Sequence, residues 1–168
     1  VARHVSVGDA AVDNAADITA ISYYGLADGI FASGADVDVT NSGAIEAEGS
    51  TWAAGIEAQG SESVTVDNSG DISATAAPFL QVTYDGDAIG SGAVAGQAFG
   101  IYATGGEAGA EVTNSGNITV EGYYATGIEV QSSGDIVVEH NRNNGAGSDL
   151  NEDYNPGNAN SYDEGTAV

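Results

Sequence analysis

Of the side chains able to carry acid–base or nucleophilic chemistry, this sequence holds carboxylates in abundance and little else. Its 25 Asp and Glu stand against two arginines, two histidines, no lysine and no cysteine, a formal net charge of −23. Paired carboxylates can hydrolyse glycosidic bonds and clustered ones can hold calcium. Among so many acids, however, pairs arise by chance and identify nothing alone. Arg3 and Arg142 lie near opposite ends, so a lyase acting on acidic sugars would lack the cation it needs beside an acid cluster. His4 and His140 are also near the ends, without a partner set for nucleophilic or zinc chemistry. There is no Gly-x-Ser-x-Gly, no phosphate loop and no cysteine nucleophile. An enzyme is not expected.

Calcium is the one cofactor the acids leave open. The Gly-Gly-x-Gly-x-Asp turns of a calcium β-roll are missing. Weak binding is open to two acidic stretches, Asp85 with Asp87, and Asp149 with Glu152 and Asp153. The charge excludes other partners. Nucleic acids need Lys and Arg to displace counterions, and none are in supply. Anionic surfaces are disfavoured for the same reason. No apolar run approaches the roughly 20 residues that span a bilayer, so no membrane insertion is expected.

What must position these side chains is a repeat. Asn-Ser-Gly-x-Ile occurs at Asn41–Ile45, Asn68–Ile72 and Asn114–Ile118, with an altered copy, Asn14-Ala15-Ala16-Asp17-Ile18. In chain order Asn14, Asn41 and Asn68 are spaced by 27 residues, and Asn114 follows after 46, one period plus an insertion of 19. Ser133-Gly134-Asp135-Ile136 reads as a degenerate fifth copy. Such a period marks a solenoid.

Apolar residues alternate on both sides of each turn, as half-buried strands require. Val37 and Val39, Val64 and Val66, Ala110 and Val112 precede the Asn. Ile45 and Ala47, Ile72 and Ala74, Ile118 and Val120 follow the turn, and Ile136 and Val138 are placed with them. A third segment supplies Ile30 and Ala32, Ile56 and Ala58, Ile101 and Ala103, Ile128 and Val130. Abundant Gly (25 residues), scarce Pro (2) and an apolar content made of Ala, Val and Ile suit strands and turns. The expected fold is a right-handed parallel β-helix, one domain of about five coils with three short strands in each. At one coil per 4.8 Å this gives a stub about 25 Å long. The chain is expected to be a segment or processed piece of a longer protein.

Asn14, Asn41, Asn68 and Asn114 are expected to form a structural ladder, their side chains bonding from coil to coil. The turn Gly is expected to adopt positive φ. Ala15-Ala16 predict a looser or differently shaped first corner. The last coil is expected to lack a separate first strand, for want of residues between Ile128 and Ile136.

Stacking brings equivalent residues together, so like charges in one row repel. Rows read Asp13, Thr40, Asp67, Thr113; Asp17, Ala44, Asp71, Asn117, Asp135; Phe31, Glu57, Tyr102, Glu129; and Ala11, Asp38, Thr65, Glu111. In none do acids occupy neighbouring coils.

Functional difference is expected where the repeat is interrupted. Insertions at about 75–97 and 139–161 are both placed on the connection from second to third strand. That corner also carries Tyr23, Tyr24, Trp52, Tyr123 and Tyr124, and with Phe79, Tyr84, Tyr154 and Tyr162 it gathers nine of the twelve aromatics. These rings can stack on sugars, bury against another rod, or pin their own insertions.

Val39–Ala47 with Ala53–Ala58, Val66–Ala74, and Val112–Val120 with Ala125–Val130 resemble repeats of bacterial autotransporter passenger domains and related large adhesins. The resemblance covers about two thirds of the chain. It implies export to the cell surface or medium, and adhesion, aggregation or a biofilm matrix. No catalytic residue is carried over. The expected function is an extracellular structural solenoid that associates with itself end to end. A carbohydrate-binding module using the aromatic edge is the alternative.

Overall fold

A computed structural model describes residues 8–76 and 96–140 and the backbone of residues 2–5. The described chain is all strand and turn. In order come β1 (Ala2–Val5), β2 (Ala10–Asn14), β3 (Ile18–Ser22), β4 (Leu26–Asn41), β5 (Ile45–Gly49) and β6 (Trp52–Asn68). β7 (Ile72–Ala76), β8 (Gln97–Gly105), β9 (Gly109–Asn114), β10 (Ile118–Gly122), β11 (Tyr124–Ser132) and β12 (Ile136–His140) follow. Every pairing is parallel, and the strands wind into a β-solenoid of about four turns with equivalent residues about 27 apart.

Three faces result. The first stacks β2, the C-terminal halves of β4 and β6, β9 and β12. The second stacks β3, β5, β7 and β10. The third stacks β1, the N-terminal halves of β4 and β6, β8 and β11. Inward residues repeat from coil to coil: Ile30, Ile56 and Ile101, then Val39, Val66 and Val112, are fully buried. Alternate residues face outward, as in β5, where Glu46 and Glu48 are exposed between buried Ile45 and Ala47.

Glycines set how closely the faces approach. A β-carbon on Gly29, Gly55 or Gly100 would collide with Cγ2 of Ile45, Ile72 or Ile118 respectively. Each third-face Gly is thus the socket for the Ile that follows the next Asn turn. Burying an Ile there contributes about 1.5–3 kcal/mol. This explains why the Gly-Ile pair and the turn Ile recur together.

Four expectations are corrected. The third strand and the following first strand are not separate. β4 and β6 run through the corner without a break, bending at Gly34 and Gly60, with a register shift between Gly34 and Asp36. A β-carbon at either Gly would strike a backbone carbonyl, that of Gly8 or of Ser63.

The Asn-Ser-Gly glycines do not take positive φ; among the described residues only Gly109 does, at 106°. They are needed for close approach instead. The carbonyl of Ala16 stands under Gly43, that of Gly43 under Gly70, and that of Gly70 under Gly116.

The first corner is not looser, although it is bonded differently, with Ala16 N also donating to Asn14 Oδ1 at 3.3 Å. The Asn14 amide donates to Ala16 O at 2.7 Å, matching the 2.8 Å bond from Asn41 to Gly43 O. Ala16 occupies the lowest described level of this corner, so its β-carbon meets no stacked carbonyl.

The last coil does have a first strand. Ile136–His140 pairs with Ala110–Asn114, so Ile136 and Val138 extend the row of Ala110 and Val112. Ser132–Asp135 forms the bend from the third face to the first. Ser132 Oγ and Gly134 N both donate to Gly106 O, and Ala110 N donates to Asp135 O. Asp135 therefore leaves the row of Asp17, Ala44, Asp71 and Asn117. β7 ends at the second-to-third corner and β12 at the first-to-second corner; the expected insertions, about 75–97 and 139–161, lie almost wholly outside the described residues.

Candidate functional site

Three groups of side chains stand out from the regular stack. The first is a polar seam inside it. Asn14 Nδ2 donates to Asn41 Oδ1 at 2.7 Å, Asn41 Nδ2 to Asn68 Oδ1 at 2.7 Å, and Asn68 Nδ2 to Asn114 Oδ1 at 2.6 Å. Each Nδ2 also donates to the carbonyl two residues on, which closes the turn. Every amide nitrogen points toward the next coil, so the ladder has a direction. Asn41, Asn68 and Asn114 are buried, and this bonding offsets the cost of burying them.

His140 takes the fifth position of the row, 2.8 Å through Nδ1 from Asn114 Nδ2. Asn114 Oδ1 already accepts from Asn68, so its nitrogen faces the ring. Nδ1 is therefore the acceptor of this bond. The pattern around Asn could not announce a His in its row.

The second group lies on the outer side of the third face. Trp52 contacts Phe99 at 4.6 Å and Tyr102 at 5.6 Å between ring centroids, and its indole N–H donates to Asp28 Oδ1 at 3.1 Å. Glu57 sits beside them and accepts from Gln59 Nε2. Burial, reinforced by the Asp28 carboxylate, pushes Glu57 up from 4.5 to about 7, against the pull of the Gln59 bond. Row reading missed this pair because Asp28 stands opposite Ala54, and its approach to Glu57 is diagonal. Phe99 and Tyr102 were also outside the expected edge. Trp52, placed on that edge, is half-buried among its own rings.

The third group is the second-to-third corner. Tyr24 is 98 % exposed, and Tyr23, Tyr123 and Tyr124 are exposed beside Ile21 and Leu26. Tyr123 and Tyr124 form an edge-to-face pair at 4.8 Å. The corner holds one tyrosine pair in the first coil and one in the last. Phe79, Tyr84, Tyr154 and Tyr162 lie outside the described residues, as do Asp85, Asp87, Asp149, Glu152 and Asp153.

Carboxylates elsewhere serve the coils. Asp17 Oδ1 accepts from Ala44 N at 2.9 Å, and Asp71 Oδ1 accepts from the backbone and side-chain amides of Asn117 at 2.9 and 3.0 Å. Ser63 donates to Asp36 at 2.6 Å. Among the described residues no three His, Asp or Glu side chains converge as metal ligands. The chain matches no family model, no curated protein and no solved structure.

Proposed function

We propose that this chain is an extracellular structural β-solenoid, of the kind that builds autotransporter passengers, adhesins and biofilm matrix, and that it associates with itself end to end. The observation that carries the reading is the state of the last described coil. Gly29, Gly55 and Gly100 each receive an Ile, whereas among the described residues nothing stands within 4 Å of a β-carbon at Gly127. Ile118 and Val120 on β10, and Ile136 and Val138 on β12, are partly exposed, although their equivalents in inner coils are buried. A partly exposed core at the end of the described stack, where β10, β11 and β12 pair on one side only among the described residues, favours the addition of further strands. The net charge of −23 keeps such a rod soluble while it grows, and disfavours lateral clumping. Sedimentation of the purified chain over a concentration series tests this. A ladder of masses rising with concentration is expected; a single monomeric species throughout would refute it.

A second reading rests on the four exposed tyrosines. Rings at one corner, beside polar groups, suit stacking on sugars. A glycan array comparing the wild type with Tyr24→Ala and Tyr124→Ala separates the two readings. Binding lost in the variants supports a carbohydrate module, and no binding by the wild type removes it.

A further inference from the structure

Resting on the carbohydrate reading of the exposed rings, we infer that the second-to-third corner binds a linear polysaccharide free of acid groups, laid along the rod with one sugar to each coil. The register carries the direction. Leu26, Trp52, Gln97 and Tyr124 stand opposite one another at the start of the third face, one in each of four successive coils. Leu26 and Tyr124 are 67 % and 57 % exposed, Gln97 is exposed, and Trp52 is half-buried. The row thus offers an apolar or aromatic surface in three coils and an amide in the other. It extends over three intervals of about 4.8 Å, about 14 Å in all. Tyr24, 98 % exposed, adds a ring two residues before Leu26.

Two of these rings are already held in place. The Trp52 indole N–H donates to Asp28, and its ring lies 4.6 Å from that of Phe99. Tyr124 packs edge to face on Tyr123 at 4.8 Å. A ring fixed beforehand loses little conformational freedom when the C–H face of a sugar stacks on it. The Gln97 amide both donates and accepts, which suits ring hydroxyls.

Spacing separates a sugar chain from a peptide. A linear hexopyranose chain advances by close to one coil spacing per sugar. An extended peptide returns a side chain to the same side only every two residues, about 6.6 Å, and falls out of step with the coils. Charge then narrows the class of sugar. Glu48 and Glu121 are exposed on the second-face flank of the corner, in the row of Ile21 and Thr75, and Asp28 lies on the other flank. Such carboxylates accept from hydroxyls but repel uronate and sulfate groups, and the net charge of −23 adds to that repulsion.

The single tryptophan lies in the row, so its fluorescence at constant pH reports occupancy. The full-length chain is titrated with neutral oligosaccharides of one to six residues, built from glucose, mannose or N-acetylglucosamine, and with oligogalacturonates of the same lengths. In at least one neutral series, affinity is expected to rise about tenfold from disaccharide to tetrasaccharide and then level off, because the row crosses four coils. Tyr124→Ala should bind the tetrasaccharide up to about tenfold more weakly, as for one lost ring contact. Equal affinity for one sugar and for four would overturn the lengthwise arrangement and leave the carbohydrate reading standing. Oligogalacturonates bound as tightly as the neutral series would overturn the choice of acid-free sugars alone. Binding of no sugar would overturn both, as would binding of a random hexapeptide pool in their place.

Discussion

Ile72 seats its Cγ2 where a β-carbon of Gly55 would stand, and the carbonyl of Gly100 closes the same position from the next coil. One atom added at Gly55 therefore meets a fixed backbone on one side and a core side chain on the other. Gly55→Ala is expected to destabilise the fold by about 2–3 kcal/mol, in the range of overpacked cores. Urea unfolding should show a lower midpoint with an unchanged slope. Gly127→Ala, whose β-carbon would meet nothing within 4 Å among the described residues, should be close to neutral by the same measurement.

The turn glycines give a second contrast. Gly43 rests on the carbonyl of Ala16, whereas Ala16 rests on no described carbonyl. Gly43→Ala should therefore destabilise strongly. Ala16→Gly should cost about 0.5–1 kcal/mol, through chain entropy alone. Thermal unfolding of the two variants side by side checks this. Equal effects would mean that the turn, and not the stacked carbonyl, requires the glycine.

The Asn ladder predicts a gradient. Asn68 is buried, donates to Asn114 and Gly70, and accepts from Asn41. Asn68→Leu removes these bonds and strands polar partners, at a cost of about 3 kcal/mol or more. Asn14 lies at the end of the row and is part-exposed, so Asn14→Leu should cost about 1 kcal/mol. Chemical denaturation of both variants reads the difference.

Glu57 sets a pH dependence. With its pKa raised from 4.5 to about 7, the folded chain holds more protons than the unfolded chain between those values. Its contribution to stability is therefore full below pH 4.5, falls as pH rises toward 7, and levels off above. Glu57→Gln should flatten that fall. Trp52 is the only tryptophan and bonds to Asp28 beside Glu57, so its fluorescence should titrate near pH 7 in the wild type and lose that step in the variant.

The coil and its rows were legible in the sequence because the Asn-Ser-Gly-x-Ile period fixes the register of everything between its copies. Phe31, Glu57, Tyr102 and Glu129 do stack in the expected row. What the period could not express was contact across rows. Asp28 and Glu57 are diagonal, Asp28 standing opposite Ala54 and Glu57 opposite Phe31. Ser133-Gly134-Asp135-Ile136 misled because its residues copy the Asn turn. Spacing carried the better signal: Ile128 and Ile136 are separated as Ile56 and Val64 are, which is the interval from the third face to the first. The turn glycines were identified correctly but for the wrong reason, since the demand comes from the coil below and not from their own dihedrals.

Electron microscopy of the purified full-length chain, with diffraction from aligned specimens, tests end-to-end association most directly. Unbranched filaments with an axial repeat of about 4.8 Å, many times longer than one chain's four turns, are expected. Short, uniform rods of single-chain length at every concentration would contradict it.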